Sequence, residues 1–413
     1  MTGATDLPFV IAGGGIGGLA TALGLAQKGI RSVVLERSRQ LGEIGAGIQL
    51  GPNAFHSFDQ LGVGDAARSI AVYIDQLRLM DALSAEEITR VPLDKPFRQR
   101  FGNPYAVVHR GELHGVLLKA CRASDLIELR TASEVIGYAQ DDTSVRVQLA
   151  QGTVDGTALI GADGLWSNVR KQVVGDGPPR VSGHTTYRSV IPTENMPEDL
   201  RWNAATLWAG PKCHIVHYPL SGWKVFNLVV TYHNNAPEPV AGLPVSAEEV
   251  LQGFQHVHPR AQTIIRHGKD WKLWVLCDRE PTEQWVDHRV ALLGDAAHPM
   301  LQYFAQGACM AMEDAVCLAH IVAAHPGDVE TALETYRCRR LLRTARVQLQ
   351  SRAIGDHIYH PAGPHALLRN AILSSMTPAD LYDSVAWLYG GSGLTEDAAV
   401  AAGAYARPTS HAA

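Results

Sequence analysis

The chain has 413 residues, 46% of them hydrophobic, and a formal net charge of −5. That length suffices for about two domains, and the acidic balance argues against a nucleic-acid partner, which calls for a basic surplus. The six cysteines, at 121, 213, 277, 309, 317 and 338, show no CxxC spacing, so neither a metal site nor a redox pair is expected, and the thiols read as reduced and mostly buried in a cytoplasmic protein.

In chain order, the opening MTGATDLP lacks the basic start of a signal peptide. FVIA reads as a strand, GGGIGGLATALGLAQKGI as a glycine turn and helix, and RSVVLE as a second strand, which together make one βαβ unit. Gly13, Gly15 and Gly18 fit G-x-G-x-x-G, and Glu36 follows about 20 residues later at the end of the second strand, the context that a dinucleotide motif requires. Gly13 permits the tight turn, Gly15 lets the backbone approach a pyrophosphate, and Gly18 lets helix and strand pack closely. The helix start offers free N–H groups to phosphates, and Glu36 can accept from ribose hydroxyls. Residues 71–109 alternate short segments. A helix follows Arg110, and SVRVQLA and ALIGADG read as strands.

From about 180 to 276 the chain is rich in Thr, Val, Trp and Tyr with turns between, as in HIVHYPL and KVFNLVVTY, which predicts an antiparallel sheet. After 289 the strand, glycine loop and helix pattern returns. The Arg-rich stretch 328–355 reads as a solvated surface helix and the end of the chain as a frayed tail. No run reaches the ~18 apolar residues of a spanning helix. The expected layout is α/β: a Rossmann-like cofactor domain from residues 1–180 and 281–390, an inserted, mostly antiparallel substrate sheet at 181–280, C-terminal helices, and a tail at 391–413.

Two further stretches identify the cofactor as FAD. GADGLWSNVR places Asp163 between a strand and a helix, and GDAAHPMLQYFAQGA places Asp295 in the same way. Bound NAD would not call for two more acids so far along the chain. The ribityl chain of FAD is a string of hydroxyls, and a carboxylate among small residues can accept from them.

The trio GGGIGG, GADG and GDAAHP, in this order, resembles the single-component aromatic flavoprotein hydroxylases, and the resemblance covers about residues 8–390. It implies that Asp295 holds the ribityl hydroxyls, that Asp163 belongs to a motif serving both FAD and the nicotinamide, and that Arg110 reaches the FAD phosphates. It adds Arg37, Gly47, Gln49, Gly307 and Ala308 to the FAD contacts and Tyr105 to the substrate contacts, where strand alternation also places Tyr218 beside His214. The resemblance also implies a non-covalent FAD, NADH as an electron donor without a domain of its own, and O2 as the co-substrate. The chain resembles the salicylate and hydroxybenzoate hydroxylase subgroup, which lacks a long C-terminal extension. A homodimer is compatible with it. One departure stands out: many relatives carry a Pro four residues after the motif His and a Gly three beyond it, where this chain has Gln302 and Ala305.

Such chemistry needs no metal, because reduced flavin and O2 form a C4a-hydroperoxide that delivers an electrophilic oxygen. A helix starting near Gly307 would point its positive end at the flavin. The small aromatic acid must be electron-rich, so a base that deprotonates its phenol is wanted. His214 is the candidate. Strand alternation puts it on one face with Val216 and Tyr218, while Cys213, Ile215 and His217 take the other. A hydrogen-bonded core histidine is the alternative. Gln302 would face the same pocket, or else satisfy backbone groups. Tyr105 is either near the flavin or a buried tyrosine with a partnered hydroxyl, and His298, in the Asp295 loop, reads as structural on the flavin side. No arginine stands out as a carboxylate clamp. The expected reaction is 3-hydroxybenzoate to gentisate. A decarboxylating salicylate hydroxylase and a flavin oxidoreductase that does not hydroxylate are the alternatives.

Overall fold

The computed structural model describes residues 7–42, 46–390 and Leu394. Its first sheet has six strands in the order Val286–Asp287, Val290–Leu292, Ala158–Gly161, Phe9–Ala12, Ser32–Leu35 and Ile127–Arg130. All neighbours are parallel except the first pair. The central strands are buried along their whole length, as continuous apolar runs covered on both faces must be. Helix Ile16–Ala26 packs between this sheet and helix Gly307–Ala324, so the two ends of the chain close one core.

The second sheet has eight strands. They run in the order Ala241–Pro244, Lys272–Asp278, Arg180–Pro192, Val225–His233, Cys213–Leu220, Ala204–Gly210, Gln76–Asp81 and Glu87–Pro92. Only the junction of Ala204–Gly210 with Gln76–Asp81 is parallel. This corrects the expected boundary at 181: two strands of the sheet come from residues 76–92, inside the segment assigned to the cofactor domain. Their brevity hid them, and pairing with a distant partner decides their place. One face of the sheet, which carries Trp208, packs on Phe254, Ile264 and Trp271, and the other turns to the first domain. Helices Pro364–Ser375 and Pro378–Tyr389 close over the strand Glu87–Pro92. The expected tail at 391–413 lies outside the described residues, apart from Leu394.

Helix Val329–Ile354 is not the solvated helix expected. Its inward face buries Tyr336, Arg340, Thr344, Val347 and Ser351. Arg340 is accommodated because its guanidinium donates to the buried carboxylates of Glu313 (2.8 Å) and Asp314 (2.6 Å). Those acids sit in helix Gly307–Ala324, which is long and apolar enough by composition to cross a membrane but is mostly buried inside the fold. All six cysteines are free thiols: Cys121, Cys213, Cys309 and Cys317 are buried, Cys277 is partly so, and Cys338 is exposed.

Candidate active site

The glycine motif folds as its spacing requires. Gly13 has φ +102°, a region that L side chains rarely adopt, and a Cβ there would lie 2.4 Å from the Ala162 carbonyl oxygen. A Cβ at Gly18 would lie 1.9 Å from the Gly13 carbonyl oxygen, so helix and turn touch backbone to backbone. The helix that follows has no side-chain cap and no acid in its first turn. Its first N–H groups therefore face a cavity of about 520 Å³ without partners from a cap.

Gly13, Gly15, Glu36, Arg37, Arg110, Asp163, Asp295, Gly307 and Ala308 all line this cavity. Gly18 lies behind it as packing, while Gly47 and Gln49 line an adjoining cavity instead. Glu36 accepts from the N–H groups of Gly14 and Ser38, both at 2.8 Å. Burial opposes its ionisation, but those two bonds, with the Ser38 hydroxyl and the Arg37 charge, outweigh it and hold the carboxyl below its ordinary pKa. Asp163 is committed inward. It accepts from the Ser167 hydroxyl and from the N–H groups of Asn168 (2.8 Å) and Val169 (3.2 Å), and so fixes the start of helix Asn168–Val173. Burial raises its pKa in spite of those bonds.

Asp295 is different. It follows strand Val290–Leu292 in a short 3-10 turn, its side chain is exposed to the cavity, and no described residue hydrogen-bonds it. Beside it, helix Gly307–Ala324 also starts without a side-chain cap or a first-turn acid. A free carboxylate for hydroxyls and two open helix starts for anionic groups converge on one cavity, which fits the parts of FAD. The loop that carries Asp295 is held from behind: Asp314 accepts from Gly294 N–H (3.1 Å) and pairs with His298 (2.5 Å). His298 is fully buried in that pairing and lines neither cavity, so it lies behind the loop and not on the flavin side expected for it.

The second cavity, about 210 Å³, meets the first at Ile48, Arg188, Asp295, Gly307 and Ala308. A cavity of about 150 Å³ holds benzene, so one benzoate-sized ring has room. Its wall is the inward face of the large sheet. Thr186, Thr231 and His214 form one cross-strand row, Arg188, Val229, Val216 and Leu207 the next, and Asn227 and Tyr218 a third. The expected alternation holds: Cys213 and Ile215 are in the core on the other side, where His217 accepts from Trp208 Nε1 at 3.2 Å.

His214 is 1% exposed, and its Nδ1 lies 2.8 Å from Nε2 of His360. Its Nε2 is left without a described partner on the cavity side. Burial, with His360 and His184 nearby, holds its pKa well below the ordinary value, so the ring is neutral. Gln302 lines the cavity, but its amide is occupied. Oε1 accepts from Arg188 Nη2 (2.8 Å), and Nε2 donates to the hydroxyls of Thr186 and Thr231 (3.1 Å each). Tyr218 is 3% exposed, with its ring against Gly47, where a Cβ would lie 2.5 Å from a ring carbon. Tyr105 donates to Gln49 Oε1 (2.8 Å) and lines a neighbouring apolar cavity of about 350 Å³.

Two residues escaped the sequence. Arg188 lies deep in the protein where the 520 Å³ and 210 Å³ cavities meet, with Gln302 as its hydrogen-bond partner and no acid paired to it among the described residues. Burial lowers its pKa, with Tyr218 opposing the shift and Arg110 adding to it, as for a cation that lacks a counter-charge. Alternation along HTTYRSV signals its inward phase beside Thr186. His360 gave no signal, since 146 positions separate it from His214.

The FAD binding domain family matches residues 6–351. The chain is 56% identical over 383 residues to 3-hydroxybenzoate 6-hydroxylase 1 of Aquipseudomonas alcaligenes, covering 92% of this chain and 97% of that one. It is 50% identical over 386 residues to the 3-hydroxybenzoate 6-hydroxylase of Polaromonas naphthalenivorans strain CJ2, covering 93% and 96%. Klebsiella pneumoniae HpxO, complexed with FAD and uric acid, matches the fold with a TM-score of 0.82 at 26% identity over 95% of this chain and 99% of that one. Family, near full-length identity and fold agree with the cavity, and the chain belongs to the FAD-dependent aromatic hydroxylases: it is a flavoprotein monooxygenase that uses FAD, a reduced nicotinamide and O2.

Proposed function

We propose that the enzyme hydroxylates 3-hydroxybenzoate at carbon 6, para to the phenol, to give gentisate, with NADH as the donor. The observation that carries this reading is the sheet wall. A neutral imidazole opens one nitrogen to a ring-sized cavity, and an arginine with no acid partner among the described residues stands on the same face. An aromatic acid with a phenol offers one group to each. The names of the relatives at 56% and 50% identity support the same substrate.

Bound FAD supplies the activated oxygen. The residues of the chain bind, orient and deprotonate. Arg188, steadied by Gln302, holds the carboxylate. His214 Nε2 takes the phenol proton, which pushes electron density to the ortho and para carbons of the ring. Orientation between Arg188 and His214 then selects carbon 6, while Tyr218 and Val216 form the floor of the site. Asp295 and the helix start at Gly307 hold the cofactor beside it.

A panel of hydroxybenzoates, each given NADH or NADPH, tests the reading by product analysis. Gentisate from 3-hydroxybenzoate with NADH and no released CO2 is expected. Catechol and CO2 from salicylate as the preferred reaction would overturn it. In the same assay Arg188→Gln should raise KM for the acid roughly 10- to 100-fold, as loss of a charged hydrogen bond does, and leave KM for a phenol lacking the carboxylate unchanged.

A further inference from the structure

We propose that Tyr359, with Ala305 beside it, sets which acids fit the site: it shuts the ring cavity against an apolar cavity that would take a chain attached to the ring para to the carboxylate. The inference rests on the reading of Arg188 as the carboxylate clamp. It starts from the register of the large sheet. Arg188 pairs with Val229, Val229 with Val216, Val216 with Leu207 and Leu207 with Leu79, so one row of side chains crosses five strands on the inward face. Arg188, Val229 and Val216 line the cavity of about 210 Å³, while Val216, Leu207 and Leu79 line the apolar cavity of about 350 Å³. The two cavities therefore lie end to end along one row, with the cation at the far end of the first. Strand spacing puts Val216 about 10 Å from Arg188. An acid whose carboxylate meets Arg188 and whose ring lies along the row aims its carbon 4 at Val216 and the space beyond. The hydroxyl on carbon 3 then falls toward His214 in the next row.

Gln49, Val216, Ala305 and Tyr359 line both cavities, so they form the partition. Val216 belongs to the sheet, and Gln49 is held by the Tyr105 hydroxyl at 2.8 Å. The other two are delivered by uncommon backbone. Ala305 has φ +51°, and of the described non-glycine residues with positive φ it alone lines these two cavities. Its methyl group sits there at a conformational cost that glycine would not incur. Tyr359 ends a π-helical turn, Gly355–Tyr359, that follows helix Val329–Ile354. Gly355 lets this turn close on Tyr303, since a Cβ there would lie 2.6 Å from a ring carbon. The turn brings the Tyr359 ring to 4.9 Å from that of His214, edge to face. Left-handed non-glycine residues and π-turns are both rare and gather at functional sites. Here two of them meet at one boundary, and what they place on it is a methyl group and a ring.

The test compares the FAD-loaded parent, Tyr359→Ala, Tyr359→Phe and Ala305→Gly on 3-hydroxybenzoate and on its 4-propyl and 5-propyl derivatives. Affinity is read from the change in flavin absorbance without NADH, and hydroxylated product per NADH is measured afterwards. The parent should bind the 4-propyl acid roughly 10- to 100-fold more weakly than 3-hydroxybenzoate, as overfilling a closed site costs. Tyr359→Ala should reverse that order, since a propyl group moved from water into apolar space is worth roughly 50-fold in affinity, and it should hydroxylate the 4-propyl acid. Tyr359→Phe keeps the ring and should keep the parent's discrimination. The 5-propyl acid, whose chain leaves the row, should stay weak in every variant. Equal binding of the two acids by the parent, no gain in Tyr359→Ala, a gain on the 5-propyl acid instead, or a Tyr359→Phe that behaves like Tyr359→Ala would each overturn the partition while the substrate reading stands. A parent that does not hydroxylate 3-hydroxybenzoate at all refutes the substrate reading, and the partition with it. If Tyr359→Ala does not fold, Ala305→Gly decides: a narrowed gap between the two acids supports the partition, and an unchanged gap overturns it.

Discussion

In the proposed mechanism His214 is the base, and three features constrain it. His360 holds Nδ1, strand phase points the ring at the cavity, and burial keeps it neutral. Replacing it by alanine should leave FAD bound and NADH consumed but lower hydroxylation about 10²–10⁴-fold. The consumed oxygen then leaves as peroxide, and peroxide formed per NADH is the readout. Gln302→Ala should act differently, since its amide is spent on Arg188, Thr186 and Thr231. It should raise KM for the acid before it uncouples oxygen. Asp295 and Glu36 separate in the same manner. Asp295 has no described hydrogen-bond partner, so Asp295→Ala should purify with little flavin while the apoprotein unfolds at the parent's denaturant midpoint. Glu36 also secures Gly14 and Ser38. Glu36→Ala should therefore weaken FAD by about 1–3 kcal/mol and destabilise the apoprotein as well. Full flavin occupancy in Asp295→Ala, with lost turnover, would make that acid part of the chemistry instead.

The paired helices Gly307–Ala324 and Val329–Ile354 form the mounting of the site. Arg340 and Arg343 meet Glu313, and Arg340 with His298 meets Asp314, all inside the core except for part of Arg343. Burial resists the charge on Asp314, but His298 and Arg340 outweigh it and depress its pKa to about 2. A depressed carboxyl stabilises the fold fully above its unfolded pKa of about 4, and that contribution is lost as pH falls through the folded value. Asp314→Asn, which strands Arg340 and His298, should cost about 3–5 kcal/mol at neutral pH. In urea unfolding, the gap to the parent should narrow as pH drops from about 4 toward 2. A gap that stays constant over that range would remove Asp314 from the linkage. This network was invisible to sequence periodicity, which sees arginines at 337, 339, 340, 343 and 346 and reads a wet surface. The partners that bury Arg340 lie 26 and 27 positions away on another helix.

At the scale of the molecule, the cofactor half was legible because its physics is local. The turn at Gly13, the packing at Gly18 and the carboxylate at Glu36 all fall within one βαβ unit, and spacing alone specifies them. The place of Asp295 at the cavity was legible because it is an acid among small residues directly after an apolar strand. The substrate half was legible only in phase. Alternation placed His214, Val216 and Tyr218 on one face, but strand order brings Arg188 and Thr186 beside them, and a chain reversal brings His360 behind. Strands 76–81 and 87–92 join the sheet through a parallel pairing with a strand more than a hundred residues away, which no local pattern encodes. Together the two halves make a central claim: the sheet wall activates the ring by removing its phenolic proton. The most direct measurement compares 3-hydroxybenzoate with its methyl ether, 3-methoxybenzoate, which has no proton to lose, by ring-hydroxylated product and peroxide formed per NADH. Phenolate activation predicts close to one gentisate per NADH from the phenol, and from the ether NADH oxidation that yields peroxide with almost no hydroxylated ring. An ether hydroxylated as tightly as the phenol would contradict it.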